Sequence, residues 1–460
     1  MAFTRYLTLT LTTIFALTAQ LAIAGPKSVI LIIGDGFDDQ HVTMGRNYLK
    51  GQSGKLLLDN MPVRAAVQVE TVDADGNRLY VADSANTATS IATGTITQIG
   101  RIGVDAEDRD QETVLESAAK AGLRTGLVTT ASITDATPAA FAAHVTVRSC
   151  EDPVSVFGTE KYGMQLPGCP QDAKINGGLG SIAEQLAEGP VDVALGGGLQ
   201  HFVIADEQGT SALDRAKDRG TYVALTNDEL LGYRSGDAPL LGLFDESTLE
   251  VRWQGTDGRV AEPVKRSFLN YIHRYLGSAT PPDIMRCEAN PEYGDTPSLK
   301  WMSEVAITKL SKDNPNGFFL MIESASIDKK SHDRDSCGSI GEIEQLEEAL
   351  AVSLEYAKTN PNTLIIVTAD HAHAAQIVPE PSLYRNAPVP IYSPGRIARI
   401  ETREGHVMRV NYATNNMNSE EHTGAHVPLY GNDSAKSVIA PFMTQRDLYH
   451  AMMNYLELSK

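Results

Sequence analysis

The fold is decided by residues 28–36, which read SVILIIGDG, a short apolar run that ends in a glycine-rich turn. A continuous apolar run of this length is typical of a strand that is buried on both faces of a sheet. The turn places the carboxylate of Asp35 directly after the last apolar residues. We therefore expect a buried strand with an acidic side chain at its carboxyl end.

Apolar runs of the same kind recur along the chain, at residues 125–130, 191–195, 318–322 and 363–368. Helical patterns at residues 112–121 and 340–358 precede the first and the last of them. This alternation predicts an α/β fold, a three-layer sandwich with a mainly parallel central sheet and helices on both faces. Ligands of such sheets bind at the carboxyl ends of the strands. Asp35, Glu323 and Asp370, the last followed by His371, all come after predicted strands, so we expect them to converge.

The composition is that of a globular protein with a sizeable core: 460 residues, 42% apolar and 21% charged. The formal net charge of −19 argues against nucleic acid as a specific partner, because Lys and Arg carry the binding of polyanions. The sequence shows no repeat and no convincing linker. We expect residues 25–460 to form a single domain with insertions near residues 151–180 and 376–420.

Residues 1–24 have the features of a secretory signal peptide, with Arg5 near the start, an apolar stretch over residues 6–19 and small residues at Ala22 and Ala24. An N-terminal anchor helix is the alternative, which the polar residues within the stretch disfavour. No apolar tail ends the chain, so we expect no membrane anchor there. The protein is therefore expected to be periplasmic or secreted.

Four cysteines follow the predicted cleavage site, and they are Cys150, Cys169, Cys287 and Cys337. An even number in an exported chain favours two disulfides over free thiols. Three pairings are possible, of which the sequential one closes two modest loops. Zinc ligation is the alternative, and it is disfavoured because no two of these cysteines are close in sequence.

Ser84 stands before residues 86–92, a plausible helix that is rich in small residues. The free N–H groups at a helix N-terminus favour an anion, so a catalytic serine is one interpretation of this position. The alternative is an ordinary N-cap serine, which is far commoner. Arg148 has the chemistry to hold two phosphate oxygens with its planar guanidinium, and an ordinary salt bridge is the alternative for it.

Several Asp and His residues have spacings that suit metal ions. Asp328 and His332 are four residues apart, which places them on one side of a helical turn. Zinc accepts carboxylate oxygen and imidazole nitrogen, and His422 lies in a turn-like stretch. Asp35, Glu323 and Thr137 offer only oxygen, which suits magnesium. For each of these residues taken alone, the alternative is an ordinary structural role on the surface or in the core. Of the other histidines, we expect His373 to lie next to the metal ligands and His41 to lie on the surface.

Seven motifs occur in the order and at the intervals that characterise one enzyme family. They are residues 34–36 (GDG), 83–85 (DSA), 135–140 (DATPAA), 319–323 (FLMIE), 326–329 (SIDK) with His332, 368–373 (TADHAH) and 421–424 (EHTG). On these motifs the chain resembles the alkaline phosphatases, and the bacterial periplasmic kind most closely. The resemblance extends from about Ser28 to near the C-terminus and is weakest at residues 376–419, where the family carries a variable crown.

The resemblance implies an exported phosphomonoesterase that hydrolyses many phosphate monoesters through a phosphoserine at Ser84, with two Zn²⁺ and one Mg²⁺ per subunit, as a homodimer. It implies that the first zinc is bound by Asp328, His332 and His422, and the second by Asp370, His371, Asp35 and Ser84. The magnesium would be bound by Asp35, Thr137 and Glu323, with Asp135 and Lys329 around it. Arg148 would bind the substrate phosphate. The alternative hypotheses are a phosphodiesterase or sulfatase of the same superfamily, and a non-catalytic protein that binds phosphate or zinc. The sulfatase signature is missing, because Asn86 and Ala88 stand where it requires Pro and Arg.

Overall fold

A ten-stranded sheet forms the centre of the computed structural model, which describes residues 25–161, 163–234 and 236–458. The predicted signal peptide, residues 1–24, lies outside the described residues. In chain order the strands of the central sheet are β1 (Ser28–Gly34), β2 (Val63–Gln68), β3 (Arg124–Ser132), β4 (Val193–Gly197), β5 (Tyr222–Ala224), β6 (Leu240–Leu243), β7 (Phe318–Ser324), β8 (Thr363–Thr368), β9 (Val427–Gly431) and β10 (Phe442–Thr444).

The spatial order of the strands is β10-β2-β9-β8-β1-β7-β3-β4-β6-β5. β9 runs antiparallel to its neighbours β8 and β2, and the other pairings are parallel. β1 lies in the middle, where Ile33 is in register with Glu323 of β7 and Thr368 of β8. Because these three strands end at the same level, the residues that follow them meet at one edge of the sheet, as the sequence predicts.

Thirteen helices are formed by the described residues. They are α1 (Asp39–Lys50), α2 (Ser84–Thr93), α3 (Val114–Lys120), α4 (Ala136–Ala142), α5 (Ile182–Glu188), α6 (Leu199–Phe202), α7 (Ala212–Asp218), α8 (Asn227–Gly232), α9 (Phe268–Ile272), α10 (Leu299–Ser311), α11 (Ser326–His332), α12 (Ser336–Thr359) and α13 (Gln445–Tyr455). None of them combines the length and the apolar character that a membrane span requires.

The helices form two layers. α1, α10 and α11 pack against α12, whereas α2, α3, α4 and α13 pack against one another, and both groups contact β3 and β7. The central strands are buried on both faces, since Val29 to Ile33 of β1 have no exposed surface. The predicted three-layer α/β sandwich with a mainly parallel sheet is therefore confirmed.

The insertions near residues 151–180 and 376–420 differ in structure. The first contains short 3-10 turns and the hairpin Thr159–Lys161 with Met164–Leu166. The second contributes three strands of a separate four-stranded antiparallel sheet, and Glu262–Pro263 adds the fourth. The strands of this small sheet are Glu262–Pro263, Arg396–Glu401, Val407–Tyr412 and Gln376–Val378.

Both disulfides join cysteines that are sequential in the chain, Cys150 with Cys169 and Cys287 with Cys337. The second bridge attaches the short strand Cys287–Ala289 to the first turn of α12. Zinc ligation by the cysteines is thereby excluded. Because disulfides form and persist in oxidising compartments, the two bridges indicate an exported protein.

Candidate active site

Ser84 is the first residue of α2, and Asp83 is the N-cap. The Asp83 side chain and the Asn86 side chain form a reciprocal capping box, so Ser84 itself does not cap the helix. Its hydroxyl lies 3.1 Å from His371 Nε2 and 3.4 Å from Asp35 Oδ1. Ser84 is buried, with only 3% of its surface exposed. The serine is thus held among groups that could bind a metal ion.

The inner cluster consists of Asp35, Asp328, Asp370 and His371. His371 Nε2 lies 3.3 Å from Asp35 Oδ1, 3.6 Å from Asp370 Oδ2 and 3.9 Å from Asp328 Oδ1. Asp35 follows β1 directly and Asp370 lies two residues after the end of β8. The Gly36 N–H donates to Asp370 Oδ1 at 3.2 Å. Gly36 has a φ of +67° and approaches Asp328 so closely that a Cβ would lie 3.0 Å from its Cα. A glycine is therefore required in this turn.

The outer cluster consists of Asp328, His332, His373 and His422. Asp328 and His332 lie on α11, and the short antiparallel pair Ala372–His373 with His422–Thr423 supplies the other two residues. The Nε2 atoms of His332, His373 and His422 lie 3.5, 3.4 and 3.4 Å from the nearest Asp328 oxygen. Asp328 thus faces both clusters, whereas the family resemblance implies that it binds one ion.

Backbone contacts fix the orientation of three imidazole rings. His332 Nδ1 donates to the Glu420 carbonyl at 2.5 Å, His422 Nδ1 to the Ala82 carbonyl at 2.7 Å and His371 Nδ1 to the Ala372 carbonyl at 3.3 Å. A ring that donates from Nδ1 presents an unprotonated Nε2 when neutral, which is the form that binds a metal. These three histidines are therefore oriented as ligands.

His373 has the opposite arrangement. Its Nδ1 accepts a hydrogen bond from the Ala374 N–H at 2.6 Å, so the neutral ring carries its proton on Nε2. That Nε2 lies 3.4 Å from Asp328 Oδ1, close to it but without forming a hydrogen bond. Burial holds the pKa of His373 well below its usual value, which keeps the ring neutral. This geometry favours a role for His373 in positioning Asp328 over direct binding of a metal ion by His373.

Glu323 lies at the end of β7 among oxygen atoms. Its Oε2 accepts from the Thr129 hydroxyl at 2.5 Å, and Thr137 of α4 lies beside it. Burial and the charge of Asp35 hold the pKa of Glu323 well above its usual value. The three oxygen donors predicted for magnesium, on Asp35, Thr137 and Glu323, are therefore close together.

Arg148 is held by two carboxylates at the mouth of the site. It donates to Asp83 Oδ1 at 2.6 Å and to Asp135 Oδ1 at 2.7 Å, and Lys329 Nζ lies 2.5 Å from Asp135 Oδ2. Although burial disfavours their charges, Lys329 and Arg148 lower the pKa of Asp135, and Asp135 raises that of Lys329. Arg148 therefore does form the salt bridge that was the alternative to phosphate binding. Because one of its partners, Asp83, is the residue before Ser84, the same salt bridge holds the guanidinium near Ser84.

The residues fit metal ions. Of the buried side-chain polar atoms without a hydrogen-bond partner in the described structure, four belong to this site, and they are Thr137 Oγ1, Asp328 Oδ1, Asp370 Oδ2 and His373 Nε2. Burial, with the charges of Asp35 and Asp328, holds the pKa of Asp370 well above its usual value. Buried carboxylates that repel one another and lack donors are expected where a cation binds. Mixed Asp and His ligands suit zinc, and the oxygen-only set suits magnesium.

One sequence expectation is wrong and several contacts were missed. His41 was expected on the surface, but it is fully buried, because Asp38 Oδ1 and Ser331 Oγ lie 2.8 and 2.9 Å from its ring nitrogens. Thr129 and Glu420 were not singled out. The fold brings Thr129 against Glu323 and Glu420 against His332. Neither residue has a sequence spacing that indicates a metal site.

Comparison with known proteins agrees with this geometry. Residues 26–389 match the family model described as alkaline phosphatase. Alkaline phosphatase of Escherichia coli (strain K12) is 38% identical over 96% of this chain and 88% of its own length, and alkaline phosphatase H of Pseudomonas aeruginosa (strain UCBPP-PA14) is 37% identical over the same shares. The solved structure of alkaline phosphatase from the Antarctic bacterium TAB5 superposes with a TM-score of 0.64 at 21% identity and covers 95% of this chain and 99% of its own. The chain therefore belongs to the alkaline phosphatase family and is a metal-dependent phosphomonoesterase.

Proposed function

We propose that Ser84 is the nucleophile that accepts the phosphoryl group from phosphate monoesters and passes it to water. The observation that carries this proposal is the position of Ser84 Oγ, which lies between His371 Nε2 and Asp35 Oδ1 at 3.1 and 3.4 Å. Because Asp83 caps α2, the common structural role of a serine at this place is already filled. The Ser84 hydroxyl is therefore available for chemistry.

The chain's own residues account for binding and transfer. Arg148, fixed by Asp83 and Asp135, holds two oxygens of the phosphoryl group through its planar guanidinium. Ser84 Oγ gives its proton to solvent water and attacks phosphorus in line, while the bond from phosphorus to the ester oxygen breaks and that oxygen takes a proton from water to leave as the alcohol. A water molecule then attacks phosphorus from the side the alcohol vacated and gives up a proton to solvent. The bond from phosphorus to Ser84 Oγ breaks, Oγ takes a proton back from water, and phosphate is released. Two in-line displacements give retention of configuration at phosphorus.

Three ions complete this proposal, two zinc and one magnesium. The first zinc is assigned to Asp328, His332 and His422, the second to Asp35, Ser84, Asp370 and His371, and the magnesium to Asp35, Thr137 and Glu323. Bound there, the ions supply positive charge that lowers the pKa of the serine hydroxyl and stabilises the phosphoryl transition state. His373 supports Asp328 from outside the ligand set, and Asp135 with Lys329 surrounds the magnesium ligands.

Ser84→Ala tests the proposal directly. The variant should form no phosphoenzyme and should lose about 10⁴-fold or more in kcat, as expected when a nucleophile is removed. Acid-quenched reactions with ³²P-labelled substrate measure the phosphoenzyme, and p-nitrophenyl phosphate against bis-p-nitrophenyl phosphate separates monoesterase from diesterase activity. Ser437→Ala, at an exposed serine, is the matched control. Labelled phosphoenzyme in Ser84→Ala would contradict the assignment.

We also propose that residues 1–24 are a signal peptide, that residues 25–460 form one domain with a crown near residues 376–420, and that the mature protein is a periplasmic or secreted homodimer. The two disulfides and the family support export. N-terminal sequencing of the secreted protein checks the cleavage after Ala24. Light scattering checks the dimer, and a monomer would contradict it.

A further inference from the structure

A cavity of about 520 Å³ lies between the small four-stranded sheet and residues 415–417 of the loop that leads to His422. Its walls include Lys265, Arg266, Arg334 and Arg396, and the aromatic rings of Tyr271 and Tyr392. Among the described residues, none that lines it is Asp or Glu. We call it the basic pocket. In a chain with a net charge of −19, this is a local excess of positive charge.

The charges of the basic pocket are not neutralised from within the described structure. Lys265 and Arg396 form no ion pair there, and Arg266 lies over the ring of Tyr392 at 5.4 Å rather than against a carboxylate. Glu262, which precedes Pro263 on one wall, is itself paired with Arg259 at 2.6 Å. Three cations without carboxylate partners therefore face one cavity.

Arg334 differs from these three, because it connects the basic pocket to the outer cluster. Its side chain is only 4% exposed, and it pairs with Glu420 at 2.6 Å and donates to the carbonyls of Asn418 and Met417. The carbonyl of the same Glu420 accepts from His332 Nδ1 at 2.5 Å, and its N–H donates to the His332 carbonyl at 3.1 Å. The loop that walls the pocket is therefore the loop that orients His332.

The open side of the active site faces the same way. In the outer cluster the side chain of His332 is 32% exposed, whereas His371 of the inner cluster is fully buried. A leaving group that extends from Ser84 past His332 comes to the loop of Glu420, which His332 contacts through its Nδ1. Arg334, which pairs with Glu420, lines the basic pocket on the other side of that contact.

We propose that the basic pocket binds a second anionic group, a phosphate or carboxylate, carried by the leaving-group part of the substrate. The inference rests on the phosphomonoesterase function proposed for Ser84, and it adds a substrate preference to it. Guanidinium and ammonium groups without carboxylate partners bind phosphate oxygens through charge-assisted hydrogen bonds. The enzyme should then hydrolyse bisphosphorylated substrates of suitable length better than neutral ones.

Matched substrates test this proposal on the full-length mature enzyme. Alkanediol bisphosphates of increasing chain length are compared with the corresponding hydroxyalkyl monophosphates, with kcat/KM expressed per phosphoryl group. At one range of chain lengths and low ionic strength we expect a preference of about tenfold for the bisphosphate, which is the size of one charge-assisted hydrogen bond. The preference should shrink with added salt, because the pocket is open to solvent.

Charge-removing variants connect the preference to the pocket. Lys265→Gln combined with Arg396→Gln should bring the ratio of the two kcat/KM values close to one. Arg286→Gln, which removes an exposed arginine paired with Glu401 outside the pocket, is the matched control and should keep the ratio. Circular dichroism and melting temperatures show whether the variants are folded, and Lys265→Gln alone, at an exposed side chain, gives a second estimate of the ratio.

Each outcome decides the proposal. Equal kcat/KM for both substrate series in the wild-type enzyme, or a preference that survives Lys265→Gln with Arg396→Gln, would overturn it. A site for free phosphate would instead appear as non-competitive inhibition of hydroxyalkyl phosphate hydrolysis that the pocket variants relieve, and this too would overturn the leaving-group assignment. Failure of the wild-type enzyme to hydrolyse any monoester would overturn the function of Ser84 as well, so the two failures are distinguishable.

Discussion

The inner and outer clusters share Asp328 but are built in different ways. In the inner cluster, Asp35 and Asp370 follow two adjacent strands of the central sheet, and His371 and Asp370 have no exposed side-chain surface. In the outer cluster, His332 ends a short helix and His422 belongs to a two-residue strand, with side chains that are 32% and 13% exposed. The sheet thus fixes one cluster, whereas loops fix the other.

The difference has a physical consequence for the ions. A site held by strand ends cannot relax without disturbing the core, because protein interiors are close-packed. A site held by loops depends on single hydrogen bonds, such as that from His332 Nδ1 to the Glu420 carbonyl. We therefore expect the inner ion to be retained more strongly and the outer ion to exchange with solvent first.

The largest effect is expected where the two clusters meet. Asp328→Asn removes a charge that faces both ions, so kcat/KM for p-nitrophenyl phosphate should fall about 10⁴-fold or more, roughly 5.4 kcal/mol of transition-state stabilisation. The measurement is made with zinc and magnesium in excess. Asp333→Asn, at a neighbouring carboxylate whose side chain is 61% exposed, is the control and should change kcat/KM little. Activity of Asp328→Asn within tenfold of wild type would contradict the shared role.

Metal removal should separate the clusters in time. A chelator should extract the ions in two phases, the outer before the inner, and activity should be lost in the first phase. His332→Ala should bind one zinc fewer per chain by elemental analysis and lose roughly 10²- to 10³-fold in kcat/KM. The melting temperature should fall further in the second phase, because an ion that binds only the folded state stabilises it by about 4 kcal/mol at 1,000 times its Kd. Release in one phase would break the distinction.

His373→Ala sharpens the description of the outer cluster. Because its Nδ1 accepts from Ala374 N–H, His373 should donate to Asp328 and not bind zinc itself. The variant should keep its full zinc content at saturation, and its zinc affinity should be about 10- to 100-fold weaker, as for other residues that support a ligand. Competition with a chelating dye measures the affinity. Loss of one zinc at saturation, as in His332→Ala, would show that His373 is a ligand.

The sequence predicted the inner cluster more completely than the outer one, and the reason is the same difference in construction. Long apolar runs mark β1, β7 and β8, and β8 has the predicted bounds of residues 363–368. Once parallel strands are inferred, the residues after them must meet. The strands β2, β5, β6, β9 and β10 were not predicted. β2 mixes exposed, partly buried and buried residues and so has no continuous apolar run, and β5 and β10 have only three residues each.

The outer cluster could be predicted only in its membership. The motifs name His332, His373 and His422, but nothing in a sequence shows which ring nitrogen carries the proton. That depends on carbonyl and N–H groups brought close by folding, such as those of Glu420, Ala82 and Ala374. The same limit applies to Asp328, because its position between two clusters results from the packing of α11 against the turn at Gly36.

The smallest effect on activity is expected at His41, which supports α11 from below. Its ring bridges Asp38 Oδ1 and Ser331 Oγ, and Ser331 is the residue before His332. His41→Ala leaves two buried polar groups without this partner, so the free energy of unfolding should fall by about 2 kcal/mol, while kcat should change only a few-fold because no proposed ligand is lost. Chemical denaturation of the metal-loaded enzyme measures the first, and His406→Ala, at an exposed histidine, is the control. His41→Ala could instead release the outer ion as readily as His332→Ala does. The outer cluster would then depend on α11 as strongly as the inner cluster depends on the sheet, and the contrast between the two clusters would fail.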